Sequence, residues 1–366
     1  MKASRITKLD GLRGVFSLMV LFFHYRENML PDMIYNNFFI RESYLFVDFF
    51  FVLSGYVIAL NYHNLSDFTS LKIYLRKRFL RLYPLLLFTT LIAFGFSFAS
   101  YVTIIITPNL LETLSVNMKE EFFYFLDTIL LTNSTPILGP TAEMNTPSWS
   151  ISSEFIAYTF FGVLALCFSG VYRNIALLAT IILACIFSYS NMELFPFSGE
   201  FGFVRGLISF NLGYFVWYFS SKKINIPDIV EYIIPIALIG LFYILNSFDF
   251  QQPEKQILGL FITPLFFSSS IFILLQTNGI ISRVMNWNIF QKLGAISYSL
   301  YLNHWVLVLI IPSLIFRIFN ISHSFTSEVV VFIITTLIAI CYSVLTYNYI
   351  EIKCARFLKS FLKKRI

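Results

Sequence analysis

Two ionisable residues of one apolar segment, Arg13 and His24 in LDGLRGVFSLMVLFFHYRE, are the first candidates for chemistry. They are 11 positions apart. On a helix both would therefore project from one face, separated by ~16 Å along the axis. Ionisable groups inside a membrane span are costly and usually mark a function. Histidine suits general base catalysis near neutral pH, and arginine can stabilise negative charge. The alternative is two side chains that only reach the membrane interfaces.

A second pair, Arg78 and Arg81, occurs in LRKRFLRLYP, just before the third apolar stretch. Residues three positions apart share a helix face. Paired guanidinium groups bind phosphate oxygens through parallel hydrogen bonds, which an ammonium group cannot form. The pair therefore predicts a phosphate site at a membrane surface, although such runs also flank ordinary cytoplasmic helix ends.

Two carboxylates lie in apolar segments, Asp48 in FVDFFFVLSGY and Glu154 in TPSWSISSEFIAY. We expect both near the outer ends of their helices, at the membrane level of His24. A carboxylate at that level could orient the histidine or take its proton. A capping or packing role is the alternative for either residue.

The segment GAISYSLYLNHW concentrates polar groups at the start of a late span. Tyr301 and His304 are three positions apart and share a helix face. We expect both in the cytoplasmic half of the membrane, away from His24, where they would contribute to a donor site. Hydrogen bonding between helices is the alternative.

Other chemistries have little support in the sequence. The motifs GxSxG, Walker A and HExxH do not occur. The four cysteines include no CxxC pair, and three lie in apolar runs, so we expect neither a disulfide framework nor a metal site.

The composition requires a membrane around these residues. The chain of 366 residues is 57% hydrophobic and 13% charged, with a mean hydropathy of +0.75. Soluble domains carry about 25% charged residues. The excess apolar surface must face lipid, and spanning helices need about 20 mostly apolar residues each. The sequence therefore predicts an all-α, polytopic helix bundle.

We predict ten spans, at 10–28, 44–62, 82–106, 149–169, 174–190, 203–220, 229–247, 257–276, 296–318 and 328–350. The short apolar stretch 121–133 is expected to be an interfacial or re-entrant helix. With both termini on one side, that side holds 20 of the 26 Lys and Arg residues. The positive-inside bias then predicts that both termini are cytoplasmic.

The net charge of +6 is concentrated in the predicted cytoplasmic segments, so it is not a nucleic-acid signal. We divide the chain into a transmembrane domain, 1–352, and a basic amphipathic tail, 353–366. The tail is expected to lie on anionic lipid headgroups.

Taken together, the segments resemble the acyltransferase-3 family of integral membrane acyltransferases. The matching pieces, in the family's order, are LDGLRGVFSLMVLFFH with its Arg-x10-His spacing, FVDFFFVLSGY, RFLRLYP with Arg-x-x-Arg, WSISSEF and SYSLYLNH. The family commonly has Glu-x-Pro at the end of span ten, whereas this chain has Glu351, Ile352 and Lys353. The role of Glu351 is therefore open.

The resemblance implies O-acylation, usually O-acetylation, of a polysaccharide such as O-antigen, capsule or exopolysaccharide, with cytosolic acetyl-CoA as co-substrate. It implies a multi-pass protein of the bacterial inner membrane. Some members add an extracytoplasmic domain. Because this chain ends after span ten, we expect transfer to be completed within the membrane domain.

On this hypothesis Arg78 and Arg81 would hold the phosphates of CoA, and the pantetheine arm would extend along the first helix. His24 would act as general base on a sugar hydroxyl, oriented by Glu154 or Asp48, with Arg13 stabilising negative charge. An acyl-histidine intermediate is an alternative route. A proton-coupled transporter is the competing class, because it too would place ionisable groups in spans. The acceptor sugar and the acyl chain length do not follow from the sequence.

Overall fold

The structure is a computed structural model that describes residues 6–106, 117–138, 144–191, 199, 201–249 and 252–363. These residues are mostly helical, with turns and short irregular connections, and contain no strand. Ten of the described helices have fourteen residues or more. They are α1 (Thr7–Phe23), α2 (Phe46–Tyr62), α3 (Phe68–Ile106), α4 (Ser148–Cys167), α5 (Gly170–Ser190), α6 (Gly202–Ser220), α7 (Ile233–Asn246), α8 (Thr263–Gln276), α9 (Ser297–Ile318) and α10 (Phe325–Thr346). The prediction of an all-α polytopic bundle is confirmed.

Eight of the ten helices, some with adjoining helical turns, are long and apolar enough to cross a membrane. The other two, α1 and α6, are enclosed by their neighbours. Helix α6 packs against α2, α4, α5 and α8, and α1 packs against α2, α8 and α9. Enclosed helices need less apolar surface, which explains how α6 can carry Arg205 and Asn211.

Helix α3 begins at Phe68, well before the predicted start at residue 82, and contains Pro84 in its interior. Its 39 residues make it about 58 Å long, whereas the hydrocarbon core of a bilayer is about 30 Å thick. Arg78 and Arg81 are therefore held on a continuous helix instead of a loop. A rigid helix fixes the direction of both side chains.

The stretch predicted at 121–133 forms a helix of 12 residues, Met118–Ile129, followed by turns. The helix packs on α3. The turns are buried and polar: the side-chain amide of Asn133 donates to Ser148 Oγ (2.8 Å), and the carbonyl of Ser134 accepts from the backbone of Phe203 (3.3 Å). This segment thus fixes the start of α4 against α6.

Two short helices, Ile280–Met285 and Asn288–Ala295, precede α9 and pack on the first turns of α1. Glycines allow the approach. A Cβ added to Gly294 would lie 2.1 Å from the carbonyl oxygen of Asp10, and one on Gly14 would lie 2.6 Å from the Gly294 nitrogen. The first turns of α1 therefore lie directly against the chain that leads into α9.

The C-terminal segment continues from α10 through π-helical turns, Tyr347–Cys354, into the helix Ala355–Lys363. Residues 364–366 of the predicted tail lie outside the described residues, as do Lys2 and Arg5. Contact of this tail with lipid headgroups stays a prediction.

Candidate active site

A cavity of about 390 Å³ lies between α1, α2, α3, α4 and α9. Five of the predicted site residues line it, namely Arg13, Arg78, Arg81, Glu154 and Tyr301. Three arginines from two helices make one region of the cavity strongly cationic. Its remaining wall is mostly apolar and includes Val47, Phe50, Leu53, Val57 and Ile151. A ligand that fits this cavity would have an anionic end and a thin, mostly uncharged extension.

The two arginines of α3 differ in their surroundings, and aromatic rings contact only Arg78 among the described contacts. The guanidinium of Arg78 lies over the rings of Tyr62 (5.0 Å) and Tyr158 (6.0 Å), and its Nε is buried without a hydrogen-bond partner. Arg81 keeps an exposed side chain although it lies between helices, because it faces the cavity. Within the described residues neither arginine has an ion-pair partner. Both can therefore donate to a ligand.

Arg13 extends the cationic region from the opposite wall. Its Nη1 lies 3.3 Å from Asp10 Oδ1, one turn earlier on α1, and its charge interacts with those of Arg81 and Glu351. Glu351, whose role the sequence left open, accepts a hydrogen bond from Ser299 Oγ (2.9 Å). The carboxylates of Asp10 and Glu351 balance part of the positive charge that the arginines bring together.

Glu154 lies with these arginines, and the prediction that it shares the level of His24 is wrong. Its Oε1 accepts hydrogen bonds from Ser54 and Tyr158, whose hydroxyl oxygens are themselves 2.8 Å apart. Helix α4 begins at Ser148, so Glu154 lies nearly two turns inside the helix. That extra depth takes the carboxylate to the cationic end of the cavity.

Tyr301 lies at the other end of the cavity, where its hydroxyl group is 2.8 Å from Ser150 Oγ. One turn earlier on α9, Tyr298 donates to the carbonyl of Leu82 on α3 (2.7 Å). These bonds join α9 to α3 and α4 and hold the cavity walls together. Tyr301 lines the same cavity as the arginines, and its predicted part in a donor site stays a prediction.

His304 contacts His24, so the prediction that the two histidines lie at different membrane depths is wrong. His304 Nε2 is 3.2 Å from His24 Nδ1, and the ring centroids are 4.9 Å apart. His304 is not a cavity-lining residue, but its ring centroid lies 5.9 Å from that of Tyr301. A continuous series of contacts therefore leads from the cavity through Tyr301 to His304 and then to His24.

The register of α1 against α9 explains the contact between the histidines. Gly14 touches Gly294, and His24 and His304 each lie ten residues further along chains that run in the same direction. Ten helical residues rise about 15 Å. Depth counted from the start of each predicted span places the two histidines apart. The short helices before α9 lie beside the first turns of α1, and this brings His304 to the level of His24.

The hydrogen bonds define the tautomers of the two rings. His24 Nδ1 is 2.8 Å from the carbonyl of Val20, and His304 Nδ1 is 3.2 Å from the carbonyl of Leu300. Since a carbonyl only accepts, both neutral rings carry their proton on Nδ1. The single Nδ1 proton of His24 then lies between two acceptors, the Val20 carbonyl (2.8 Å) and His304 Nε2 (3.2 Å), in a three-centre hydrogen bond, and His24 Nε2 is left as a free base.

Only one of the two rings is accessible. His304 is fully buried, whereas His24 is half-buried beside the edge of Trp305, with centroids 5.3 Å apart. His24 is therefore the ring that a ligand could reach, and His304 lies behind it in the protein interior.

Asp48 is not beside His24, contrary to its predicted role of orienting that ring. Its carboxylate is buried and accepts hydrogen bonds from Arg205 Nε (3.1 and 3.2 Å), Arg205 Nη2 (2.7 Å) and Ser209 Oγ (2.8 Å). The guanidinium also lies over the ring of Trp149 (5.6 Å). A buried carboxylate needs a charged or hydrogen-bonding partner. The cation that pairs with Asp48, Arg205, is 157 residues away in the sequence, on α6.

The fold and the site together define a polytopic membrane helix bundle with an arginine-lined cavity. Residues 6–348 match the family described as an acyltransferase domain, so the chain belongs to the acyltransferase-3 family. The resemblance seen in the sequence is confirmed. The chain is thus a multi-pass membrane protein of an acyltransferase family, which favours an enzyme over a proton-coupled transporter.

Relatives extend this comparison. The chain is 31% identical over 158 residues to "Protein 2 in picA locus" of Rhizobium radiobacter, covering 42% of this chain and 78% of that protein. It is 21% identical over 375 residues to a Staphylococcus aureus (strain COL) protein named "Putative O-acetyltransferase", covering 96% of this chain and 57% of that protein. The chain therefore spans little more than half the length of this relative. No solved structure matches it.

Proposed function

We propose that the chain is an O-acyltransferase of the bacterial inner membrane. It transfers an acyl group, acetyl in the simplest case, from cytosolic acyl-CoA to a hydroxyl of a cell-surface saccharide or its lipid-linked precursor. Family membership supports acyl transfer, and the name of the S. aureus relative supports an oxygen acceptor and an acetyl group. We infer the donor from the chemistry of the cavity and the acceptor from the family resemblance of the sequence.

The observation that carries the proposal is the order of groups from the arginines to the histidines. CoA carries its phosphates at one end of an uncharged pantetheine arm and its thioester at the other. Arg78, Arg81 and Arg13 supply donors for the phosphates. The apolar wall towards Tyr301 suits the arm, and the ~16 Å rise from Arg13 to His24 is comparable with its extended reach.

In the proposed reaction His24 Nε2 takes the proton of the acceptor hydroxyl as its oxygen attacks the thioester carbonyl. The tetrahedral intermediate then expels the CoA thiolate, which receives the proton from the His24 imidazolium. His304 Nε2 shares the His24 Nδ1–H proton with the Val20 carbonyl, and both acceptors stabilise the transient positive charge on His24. Arg13 belongs with the donor phosphates in this scheme, because it lies beside Arg81 and about three helical turns from His24.

Purified protein in lipid nanodiscs, supplied with radiolabelled acetyl-CoA and glycan fragments, tests the proposal. We expect label in the glycan and slow hydrolysis of acetyl-CoA when no glycan is present. If the protein binds no CoA and transfers no label to any acceptor, the proposal is contradicted. A transporter would give this result. Mass and NMR spectra of glycans from strains with and without the gene would identify the acceptor and its acylated position. Rapid quenching would reveal an acyl-histidine if the two-step route operates.

A further inference from the structure

The basic residues near the start of α3 lie on two opposite sides of the helix. At 100° per residue, Lys72 and Arg76 lie about 190° around the helix from Arg78 and Arg81. The latter pair faces the cavity between the helices. Lys72 and Arg76 instead border a second, open hollow on the outside of the bundle. The proposed reaction uses only the first pair.

This hollow is a groove of about 360 Å³ between α3 and α4. Its wall is apolar and consists of Phe68, Leu71, Leu75 and Phe79 from α3 and Phe155 from α4. Phe79 and Phe155 meet at the base of the groove, with ring centroids 5.9 Å apart. The groove therefore has an apolar base between two packed helices and two cations at one edge.

Neither cation is neutralised by the protein. Among the described residues, Lys72 and Arg76 form no ion pair and no hydrogen bond, and the ammonium of Lys72 lies 6.0 Å from the Phe68 ring centroid. Lys72 is exposed and Arg76 is half-buried. They are four residues apart, so one phosphate group could contact both.

We propose that this groove binds one anionic phospholipid. A fatty acyl chain lies against Leu75, Phe79 and Phe155, and the headgroup phosphate lies between Lys72 and Arg76. The combination of an apolar cleft with a cationic edge fits a lipid better than a soluble phosphate, which would gain nothing from the cleft. This proposal does not depend on the proposed function.

Native mass spectrometry of the full-length protein with added phosphatidylglycerol or phosphatidylcholine tests the charge contribution. We expect the wild type to prefer phosphatidylglycerol, and K72Q/R76Q to lose roughly 30-fold of that preference, about fivefold for each cation. The matched control K222Q/K223Q removes two exposed lysines elsewhere and should keep the preference. An unchanged preference in K72Q/R76Q would overturn the proposal.

Leu75→Trp tests the apolar contribution, because it fills the groove and leaves both cations in place. It should weaken phosphatidylglycerol binding, and glycerol phosphate should compete poorly with the lipid in the wild type. If glycerol phosphate competes as well as the lipid does, the site binds only the phosphate group and the apolar cleft contributes nothing. Loss of self-association in Leu75→Trp, with lipid binding unchanged, would show that a second copy occupies the groove. Either result rejects the proposal.

Discussion

His304 Nε2 lies 3.2 Å from His24 Nδ1, although the two residues are 280 positions apart in the chain. The ring that supports the candidate base is therefore a neutral histidine, where the sequence led us to expect Asp48 or Glu154. A neutral partner can accept a hydrogen bond from Nδ1–H without adding a second charge to the apolar interior, where an uncompensated charge is costly. Asp48 instead forms an ion pair with Arg205, and Glu154 lines the cavity.

The first prediction concerns His24 itself. His24→Gln should insert and bind acyl-CoA normally, while acyl transfer falls by about 10²–10⁴-fold, the usual contribution of a positioned acid or base. Glutamine can form hydrogen bonds but cannot take a proton near neutral pH. Single-turnover transfer and CoA binding should be measured on the same preparation. Near wild-type turnover in His24→Gln would reject the general-base assignment.

The second prediction concerns His304 as the positioning residue for His24. His304→Leu should lower kcat by about 10- to 150-fold, the range for loss of a hydrogen bond to a charged group, with little change in KM for acyl-CoA. His304→Gln should retain more activity, because its amide oxygen can still accept from His24 Nδ1–H.

The control for this prediction is His323→Gln, since His323 is exposed and pairs with Glu328. It should behave as the wild type in both kcat and KM. If His304→Leu and His304→Gln are equally impaired, or if the effect falls on KM for acyl-CoA, His304 does not act through His24.

The sequence predicted the approximate positions of the ten long helices, because apolar length is a local property; eight of these helices are long and apolar enough to cross a membrane. It also identified Arg13, Arg78, Arg81, Glu154 and Tyr301, all of which the structure places around one cavity. Ionisable residues in apolar segments carry that signal without any knowledge of packing.

Pairings between helices were not predictable in the same way. The Asp48–Arg205 and His24–His304 contacts depend on which helices are neighbours and on their relative depth. Depth was misjudged for His304 because the short helices before α9 pack beside the first turns of α1. The hydrophobic periodicity of α1 and of α9 contains no information about their relative depth.

The third prediction tests the donor site. Arg78→Ala and Arg81→Ala should each raise the KM for acyl-CoA about 10- to 150-fold, because each removes a charge-assisted bond to phosphate. Lysine substitutions should restore part of the affinity, since an ammonium cannot bind in a bidentate manner. Lys77→Ala, on an exposed neighbour, is the control. Normal CoA binding by both alanine variants would mean that the pair only marks the cytoplasmic side of α3.

The fourth prediction concerns topology. Reporter fusions after Asn64, after Lys223 and after Ile366 should give cytoplasmic signals, and a fusion after Asn320 should give an external one. The reason is the excess of Lys and Arg on one side of the predicted spans. An external signal at Ile366 would show that the two termini are on opposite sides.

The last prediction separates a structural role for Asp48 from a catalytic one. Asp48→Asn leaves the buried guanidinium of Arg205 without its counterion, so we expect a loss of about 3–5 kcal/mol in stability. The double variant Asp48→Leu with Arg205→Met should be more stable than Asp48→Asn, because it removes both charges together. Thermal unfolding in detergent gives the order of stability, and kcat per folded molecule should match the wild type in every variant. An Asp48→Asn protein that unfolds like the wild type but transfers no acyl group would instead place Asp48 in the reaction.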